Sequence, residues 1–396
     1  MGVLASFVVI LDAMKSYLSE LTRNREVLEV ELQVDPLYEL AAITKAVQKK
    51  SDEVLLFSRV KGTDFPVLTN LYTSRRRLCG LVGADDDNFC PAWNRLLNEF
   101  GEKNGEITCR SAERPKVVEG KLSDLPMITY HEKDAGPYLT SAIYISKDPK
   151  TQVANLSFHR SMFVNDNELR IRLGKTHDLA KYQLAAELKG DALEAAILIG
   201  VSPSIFLAAC ASIPRDSSEL ELASKIDGSP IDMYRAETID LEIPVETQIV
   251  IEGKILPNIR KPEGPFGEFM GYYVPEEDNH VFEVSKVYWR EGAIFHSILC
   301  GSKEDLTVLE AVTAGKMYRH LTNVLPGIVD VSCSPAFMNT TVKIKQQYEG
   351  HSRQVLTAAF GADLDYNKAV FVVDEDIDIT NMNEVIWAFL TRGRAD

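Results

Sequence analysis

Two carboxylates five residues apart bracket a Gly-Pro-Phe-Gly turn, and this stretch constrains the chain more than any other: Pro262-Glu263-Gly264-Pro265-Phe266-Gly267-Glu268-Phe269-Met270-Gly271-Tyr272-Tyr273. Gly264 and Gly267 supply backbone angles that other residues resist, and Pro265 fixes one, so the turn is tight. The apolar run Phe269 to Tyr273 is expected to carry the segment into a strand. Glu263 and Glu268 are thereby held near each other beside apolar surface, where like charge and burial both favour a proton retained on one of them. A carboxyl that keeps its proton near neutral pH can donate it in catalysis. From spacing alone, the competing reading is a surface turn with two solvated acids.

A length of 396 residues predicts two or three domains with sizeable cores. The formal net charge of -15 argues against nonspecific nucleic-acid binding and against docking on anionic membranes. An anionic substrate then needs its own local Arg or Lys. Six cysteines without a C-x-x-C pair favour neither a zinc knuckle nor a disulfide framework, and so a reducing, cytoplasmic compartment. Val3 to Ile10 is apolar, but it is too short to span a bilayer and lacks a basic leader. Met1 to Ser6 fits the loose myristoylation pattern. The alternative is an amphipathic helix through Leu21 that caps a core or an oligomer contact.

Residues 1–105 read as mixed α/β: a helix through Leu21, a strand at 27–32, a helix opened by Asp35-Pro36, strands at 54–60 and 65–70, and a helix at 85–102. Ser74-Arg75-Arg76-Arg77 reads as a solvated helix start. Residues 106–300 carry short alternating runs and recurring turns, as in an antiparallel barrel. Strands are expected at 141–146, 153–164, 168–173, 195–200, 233–243, 247–252 and 281–289, around a largely helical insert at 177–222. Residues 301–396 return to α/β, with helices at 304–323, 352–361 and 382–391 and strands at 328–333, 341–346 and 369–373.

Within the second expected strand lies Asn155-Leu156-Ser157-Phe158-His159-Arg160. Alternation puts Asn155, Ser157 and His159 on one face and Leu156, Phe158 and Arg160 on the other. Asn in mid-strand is unfavourable, which points to an edge position or a ligand. Arg160 offers a fork suited to carboxylate or phosphate. Gly174-Lys175-Thr176 lacks the first glycine of a phosphate loop, since position 169 is Leu169. His177 sits at a strand-to-helix junction, where a helix start favours anions. Ser218 is a candidate cap with Glu219 behind it. Asn155, His177 and Glu219 together would offer a carbonyl oxygen, an imidazole and a carboxylate, a mixture suited to Mn²⁺ or Mg²⁺.

These elements, in this order, resemble the UbiD family of reversible decarboxylases, which use prenylated FMN. The resemblance runs from about Asp35 to Arg394. It rests on Asn155 with Arg160, on Ser218-Glu219 with Ala223, on Pro262 to Glu268, and on Asp376-Ile377-Asp378-Ile379 followed by Val385 to Arg392. It implies an N-terminal mixed α/β domain, a central flavin-binding split β-barrel and a C-terminal α/β domain. It also implies metal ligands Asn155, His177 and Glu219 that bridge to the cofactor phosphate, and a potassium ion near Ala211 and Glu219. Cofactor contacts map to Asn155, Ser157, Phe158, His159, Arg160, Arg172, Leu173, Gly174, His177 and Asp178, with Lys368 reaching the phosphate. The catalytic set maps to Arg160, Glu263 and Glu268. Family members usually run on past the Thr391-Arg392 element with a segment that helps join subunits, so the C-terminal domain here is expected to be either naturally short or truncated.

The expected activity is reversible non-oxidative decarboxylation of an aromatic, heteroaromatic or α,β-unsaturated acid through a covalent prenylated-FMN adduct. Glu268 is the proton donor and Arg160 holds the acid. Apolar Phe266, Phe269, Met270 and Tyr272 are candidate pocket walls. The implied partners are the carboxylic acid and CO₂, a flavin prenyltransferase that supplies the cofactor, and further copies of the chain in a homodimer or larger homo-oligomer. A split-barrel FMN oxidoreductase, or a non-catalytic decarboxylase-like subunit, are the alternatives. Neither gives Glu263, Arg160 and Glu268 a task.

Overall fold

Two long antiparallel strands, Ile249–Glu263 and Glu277–Arg290, form the spine of the chain and end at the acidic turn. The computed structural model describes residues 13–84, 88–101, 107–362 and 367–393. In it the register runs from Ile249 opposite Trp289 to Glu263 opposite Glu277. The β-branched run Ile249-Val250-Ile251 suits an extended, buried backbone. Outward from Ile249–Glu263 come Leu193–Ile199, Ile143–Lys147 and Ala154–Phe158. Outward from Glu277–Arg290 come Glu168–Ile171, Ser161–Asn165 and Tyr138–Leu139, with Val117–Gly120 pairing beside them. Every pairing in this central sheet is antiparallel.

The sheet separates two apolar cores. Along Leu193–Ile199, Ala195, Ile197 and Ile199 enter the cluster that holds Leu169 and Phe282, while Ala196 and Leu198 enter the one that holds Leu156 and Ile205. Successive side chains point to opposite faces, so a strand covered on both faces is apolar at nearly every position.

The N-terminal sheet orders Val27–Val30, Val54–Phe57, Val67–Thr69 and Phe295–His296, the last strand arriving from far along the chain to pair with Val67 and Leu68. The helix Ala13–Arg23 buries Met14, Leu18 and Leu21 at helical spacing. The residues before it, including Met1 to Ile10, lie outside the described ones. At the other end, Ile328–Ser332, Asn339–Ile344 and Ala369–Val373 form a three-stranded sheet, with helices Lys303–Val324, His351–Ala362 and Met382–Arg392. No helix among the described residues is long and apolar enough to cross a membrane. The chain is thus α/β, with a mixed N-terminal sheet, a central antiparallel sheet and a C-terminal α/β unit, as expected.

Four local expectations need correction. The strand expected over 153–164 is two strands, Ala154–Phe158 and Ser161–Asn165, broken at His159-Arg160. The strand expected over 233–243 is also two, Ile231–Arg235 and Glu242–Pro244. Phe269 to Tyr273 does not open a strand. Instead Phe266–Gly267 pairs with Tyr273–Val274, and the residues between form a hairpin tip. Arg77 is not solvated: it is buried, pairs with Glu26 at 2.9 Å and donates to the carbonyls of Asn70 and Leu71.

Candidate active site

The break at His159-Arg160 is what frees Arg160 from the sheet. Pairing with Ile143–Lys147 ends at Phe158, and the His159 amide donates to the Ala142 carbonyl. Arg160 leaves the alternation there and reaches the end of the long hairpin. Its Nε and one terminal nitrogen each donate to Glu263 at 3.0 Å, and its other terminal nitrogen donates to Glu268 at 3.2 Å. The three predicted catalytic residues therefore converge. Glu263 and Glu268 are held near each other, as expected, with the Arg160 guanidinium bonded to both.

The two acids differ in their surroundings. Glu263 ends the strand Ile249–Glu263, and its side chain is 1% exposed. Besides Arg160, it accepts from the Tyr138 hydroxyl at 2.9 Å and from the Asn279 side-chain amide at 3.0 Å. A carboxyl group with that many donors is held in one place and aims the guanidinium. Burial and the Glu263 charge push the Tyr138 phenol well above its ordinary value, so it stays a donor. Glu268 is 25% exposed, sits where the hairpin tip begins and takes only the Arg160 bond on its side chain among the described residues. The Phe266 ring lies beneath Arg160, 4.8 Å from the guanidinium carbon, and against Tyr138 at 4.3 Å. Of the other candidate wall residues, Phe269 packs on Phe337 of the C-terminal unit at 5.2 Å, whereas Tyr272 is 75% exposed.

A second cluster begins at the other end of Ala154–Phe158. Glu219, in the first turn of the helix Glu219–Asp227 behind its cap Ser218, accepts from the Asn155 side-chain amide at 3.0 Å and the Leu156 amide at 2.8 Å. Ser157 Oγ lies 3.1 Å from Asn155 Oδ1 and 2.9 Å from His159 Nε2, so the predicted face of Asn155, Ser157 and His159 holds across the break. The His159 ring stands 5.4 Å from that of His177, whose amide closes a turn onto Gly174. Burial lowers His159 to about 3, so its imidazole is neutral. Asn155 and Glu219 are thus joined directly, and His177 adjoins them through Ser157 and His159.

Glu219 is buried, meets only neutral donors and has no salt bridge to a cation among the described residues. Burial raises its carboxyl to about 7. A divalent cation would supply the missing positive charge, so these residues fit the metal implied for them. No group of three His, Cys, Asp or Glu side chains arranged for a metal occurs among the described residues. The expected set draws one of its ligands from an Asn.

The remaining predicted contacts are more dispersed. The Arg172 carbonyl faces His159 Nδ1 at 3.3 Å, Leu173 is buried in the core, and Phe158 packs edge-on against Phe206 at 5.0 Å. Asp178 is paired with Lys181 at the start of its helix. Lys368 is exposed, and its amide donates to the Met338 carbonyl beside Phe337. Sequence reasoning missed Tyr138 and Asn279. For Asn279 a signal existed: an Asn within a strand, the same anomaly that marked Asn155. Tyr138 carries none, since a Tyr in a strand is ordinary.

Comparison with known proteins places the chain in a family. The N-terminal, Rift-related and C-terminal domain models of 3-octaprenyl-4-hydroxybenzoate carboxy-lyase match residues 18–97, 103–303 and 306–396. The chain belongs to the UbiD family of carboxy-lyases. It is 32% identical to the evolved dimeric form of the UbiD-class enzyme HmfF from Pelotomaculum thermopropionicum in complex with prFMN. That match has a TM-score of 0.89 and covers 96% of this chain and 90% of that one. It is 29% identical over 386 residues to anhydromevalonate phosphate decarboxylase from Methanothermobacter thermautotrophicus, covering 97% of this chain and 89% of that protein. The closed form of vanillic acid decarboxylase from Sedimentibacter hydroxybenzoicus shares the fold at 24% identity, with a TM-score of 0.83 and coverage of 97% and 85%.

Proposed function

We propose that this chain is a prenylated-FMN-dependent decarboxylase of an aromatic, heteroaromatic or α,β-unsaturated carboxylic acid. The observation that carries the reading is the convergence of Glu263 and Glu268 on the single guanidinium of Arg160. Prenylated FMN, when bound, supplies the electron sink for the carbon that loses CO₂. Asn155, His177 and Glu219 would hold Mn²⁺ or Mg²⁺ against the cofactor phosphate, as a template rather than a source of hydroxide. Ser157, Phe158, His159, Arg172, Leu173, Gly174, Asp178 and Lys368 are the proposed surroundings of the flavin, and a potassium ion would sit near Ala211.

The residues divide the work by their environments. Glu263, held by Arg160, Tyr138 and Asn279, keeps the guanidinium aimed. Arg160 positions the substrate carboxylate beside Glu268. As the bond to CO₂ breaks, its electron pair stays with the substrate carbon, and Glu268 delivers a proton there. Its partial exposure lets it take a proton back from water. Expulsion of water from the substrate carboxylate favours the departure of neutral CO₂.

The anhydromevalonate phosphate decarboxylase relative supports an acid substrate and puts anhydromevalonate phosphate first in any panel. The HmfF neighbours with prFMN and FMN support the flavin, and the dimeric HmfF form supports a homo-oligomer. No disulfide joins the cysteines of the described residues, in keeping with a reducing cytoplasm. The test is co-expression with a flavin prenyltransferase, followed by an absorbance spectrum and a CO₂ assay over that acid and a set of acrylic, aromatic and heteroaromatic acids. A fully loaded flavoprotein that releases CO₂ from none of them would overturn the reading.

A further inference from the structure

The hairpin that carries Glu268 is held from one side by a single segment, His131 to Tyr138. Asp134 contributes most. Its side chain is fully hidden, and it spends both oxygens on backbone amides: Oδ1 accepts from Gly267 at 2.8 Å and Oδ2 from His131 at 2.9 Å. Gly267 is the residue immediately before Glu268. The Ala135 amide donates to the Pro265 carbonyl at 2.9 Å, and the Lys133 amide donates to the Tyr273 hydroxyl at 3.1 Å on the returning strand. The segment then ends at Tyr138, whose hydroxyl holds Glu263. The His131 ring lies so close to Gly267 that a Cβ there would stand 2.6 Å from Nδ1, so any larger residue would force the ring to move.

This geometry treats the two acids differently. The Glu263 side chain is fixed by four hydrogen bonds. The Glu268 side chain has one, so its placement comes from its backbone. The Glu268 amide is closed on the Tyr272 carbonyl, within the hairpin itself. Of the bonds from the His131 to Tyr138 segment to that hairpin, the one from Gly267 to Asp134 lies nearest Glu268, on the residue just before it. An ionised acceptor gives a stronger bond to an amide than a neutral one does, and its burial is repaid only while both amides stay in place.

We propose that Asp134 is a positioning residue for the proton donor: through Gly267 it sets the distance between Glu268 and Arg160. The role in turnover rests on the decarboxylase reading, but the hold on the hairpin does not. Displacement of a reacting group by about 1 Å costs on the order of 10²-fold in rate. Asp134→Ala should therefore lower kcat by about that factor and leave KM within about 3-fold, because binding of the acid by Arg160 is untouched. Bound flavin per chain should be unchanged. In cofactor-free protein, amide exchange over residues 264–273 should speed up by about 10-fold or more, with residues 249–262 as protected as before. Asp134→Asn keeps an acceptor for the Gly267 amide and should restore most of kcat.

Native exchange over 264–273 in Asp134→Ala, or kcat within about 3-fold of native, would overturn the assignment. Should Asp134→Ala fail to fold, Asp134→Ser, whose shorter side chain draws the acceptor away from the Gly267 amide, decides: slower turnover together with faster exchange over 264–273 supports the assignment, and either one left native refutes it. A native enzyme without turnover on any acid counts against the functional reading instead, and the exchange result then stands alone for Asp134.

Discussion

Arg160 and Glu268 are joined by one hydrogen bond of 3.2 Å, while the same guanidinium is locked onto Glu263 by two of 3.0 Å. In the proposed reaction the asymmetry makes Glu263 the orienting acid and Glu268 the reacting one. Glu268→Gln keeps an acceptor for Arg160 and the hairpin's shape but has no proton of comparable acidity to give. General acids contribute about 10²–10⁴-fold, so CO₂ release should fall by at least that range while the bound flavin and its absorbance persist. A variant that loses the flavin spectrum would make Glu268 a structural residue.

Glu219 should behave in the opposite way. It joins the helix Glu219–Asp227 to Asn155 and Leu156 of the neighbouring strand and has no cationic partner among the described residues. If a divalent ion sits there and holds the cofactor phosphate, Glu219→Ala loses metal and flavin together. The measurements are metal content and flavin absorbance per chain. Exhaustive chelation of the native protein should reproduce the loss, and re-addition of Mn²⁺ should reverse it. Full flavin occupancy in Glu219→Ala would refute the metal site.

What the sequence made legible is local. The C-terminal helices and strands fall within a few residues of expectation because their apolar periods are long and bounded by turn residues. Glu263 and Glu268 were legible as a pair because two glycines and a proline mark their turn. The pairing of Glu263 with Arg160 came from the resemblance and not from the local pattern. Periodicity carries strand 154–158 straight on through Arg160, and only the pairing with Ile143–Lys147, which ends at Phe158, shows where it must stop. The same holds for Tyr138 and Asp134. Each acts on a residue more than a hundred positions away, through a contact that tertiary packing creates. Arg77 failed for the opposite reason: a run of three arginines looks solvated until Glu26 and two carbonyls are found beside one of them.

Asp305 offers a pH test that does not depend on the cofactor. It is half-buried, accepts from the Gly301 amide at 2.9 Å, and desolvation raises its carboxyl from 3.8 to about 6 against smaller opposing effects of the Gly301 amide and the Cys300 thiol. Between about pH 4 and pH 6 the folded chain holds a proton that the unfolded chain has lost. The unfolded state binds fewer protons there, so the contribution of Asp305 to stability declines as pH rises through that window and is level above it. A shift of this size corresponds to about 3 kcal/mol at most. In urea unfolding from pH 4 to pH 7, native protein minus Asp305→Asn should show that decline. A pH-independent difference would mean that Asp305 is ionised throughout.

Glu263 gives the stability test of the site. Removing its carboxylate leaves the Arg160 guanidinium, only 11% exposed, with Glu268 as its remaining ionic partner, and strands the Tyr138 hydroxyl and the Asn279 amide. Breaking a buried ion pair by deleting one member costs about 3–5 kcal/mol, because the other charge stays desolvated. Asn279→Ala removes one neutral donor to the same carboxylate and should cost less, about 1.5–3 kcal/mol for a bond to a charged group. The urea midpoints of Glu263→Ala, Asn279→Ala and the double variant should show strong non-additivity, since Asn279 has little to stabilise once the carboxylate is gone. If Glu263→Ala unfolds within about 1 kcal/mol of the native protein, Arg160 has found water or another partner, and the locked guanidinium on which the proton-transfer geometry depends does not exist in solution.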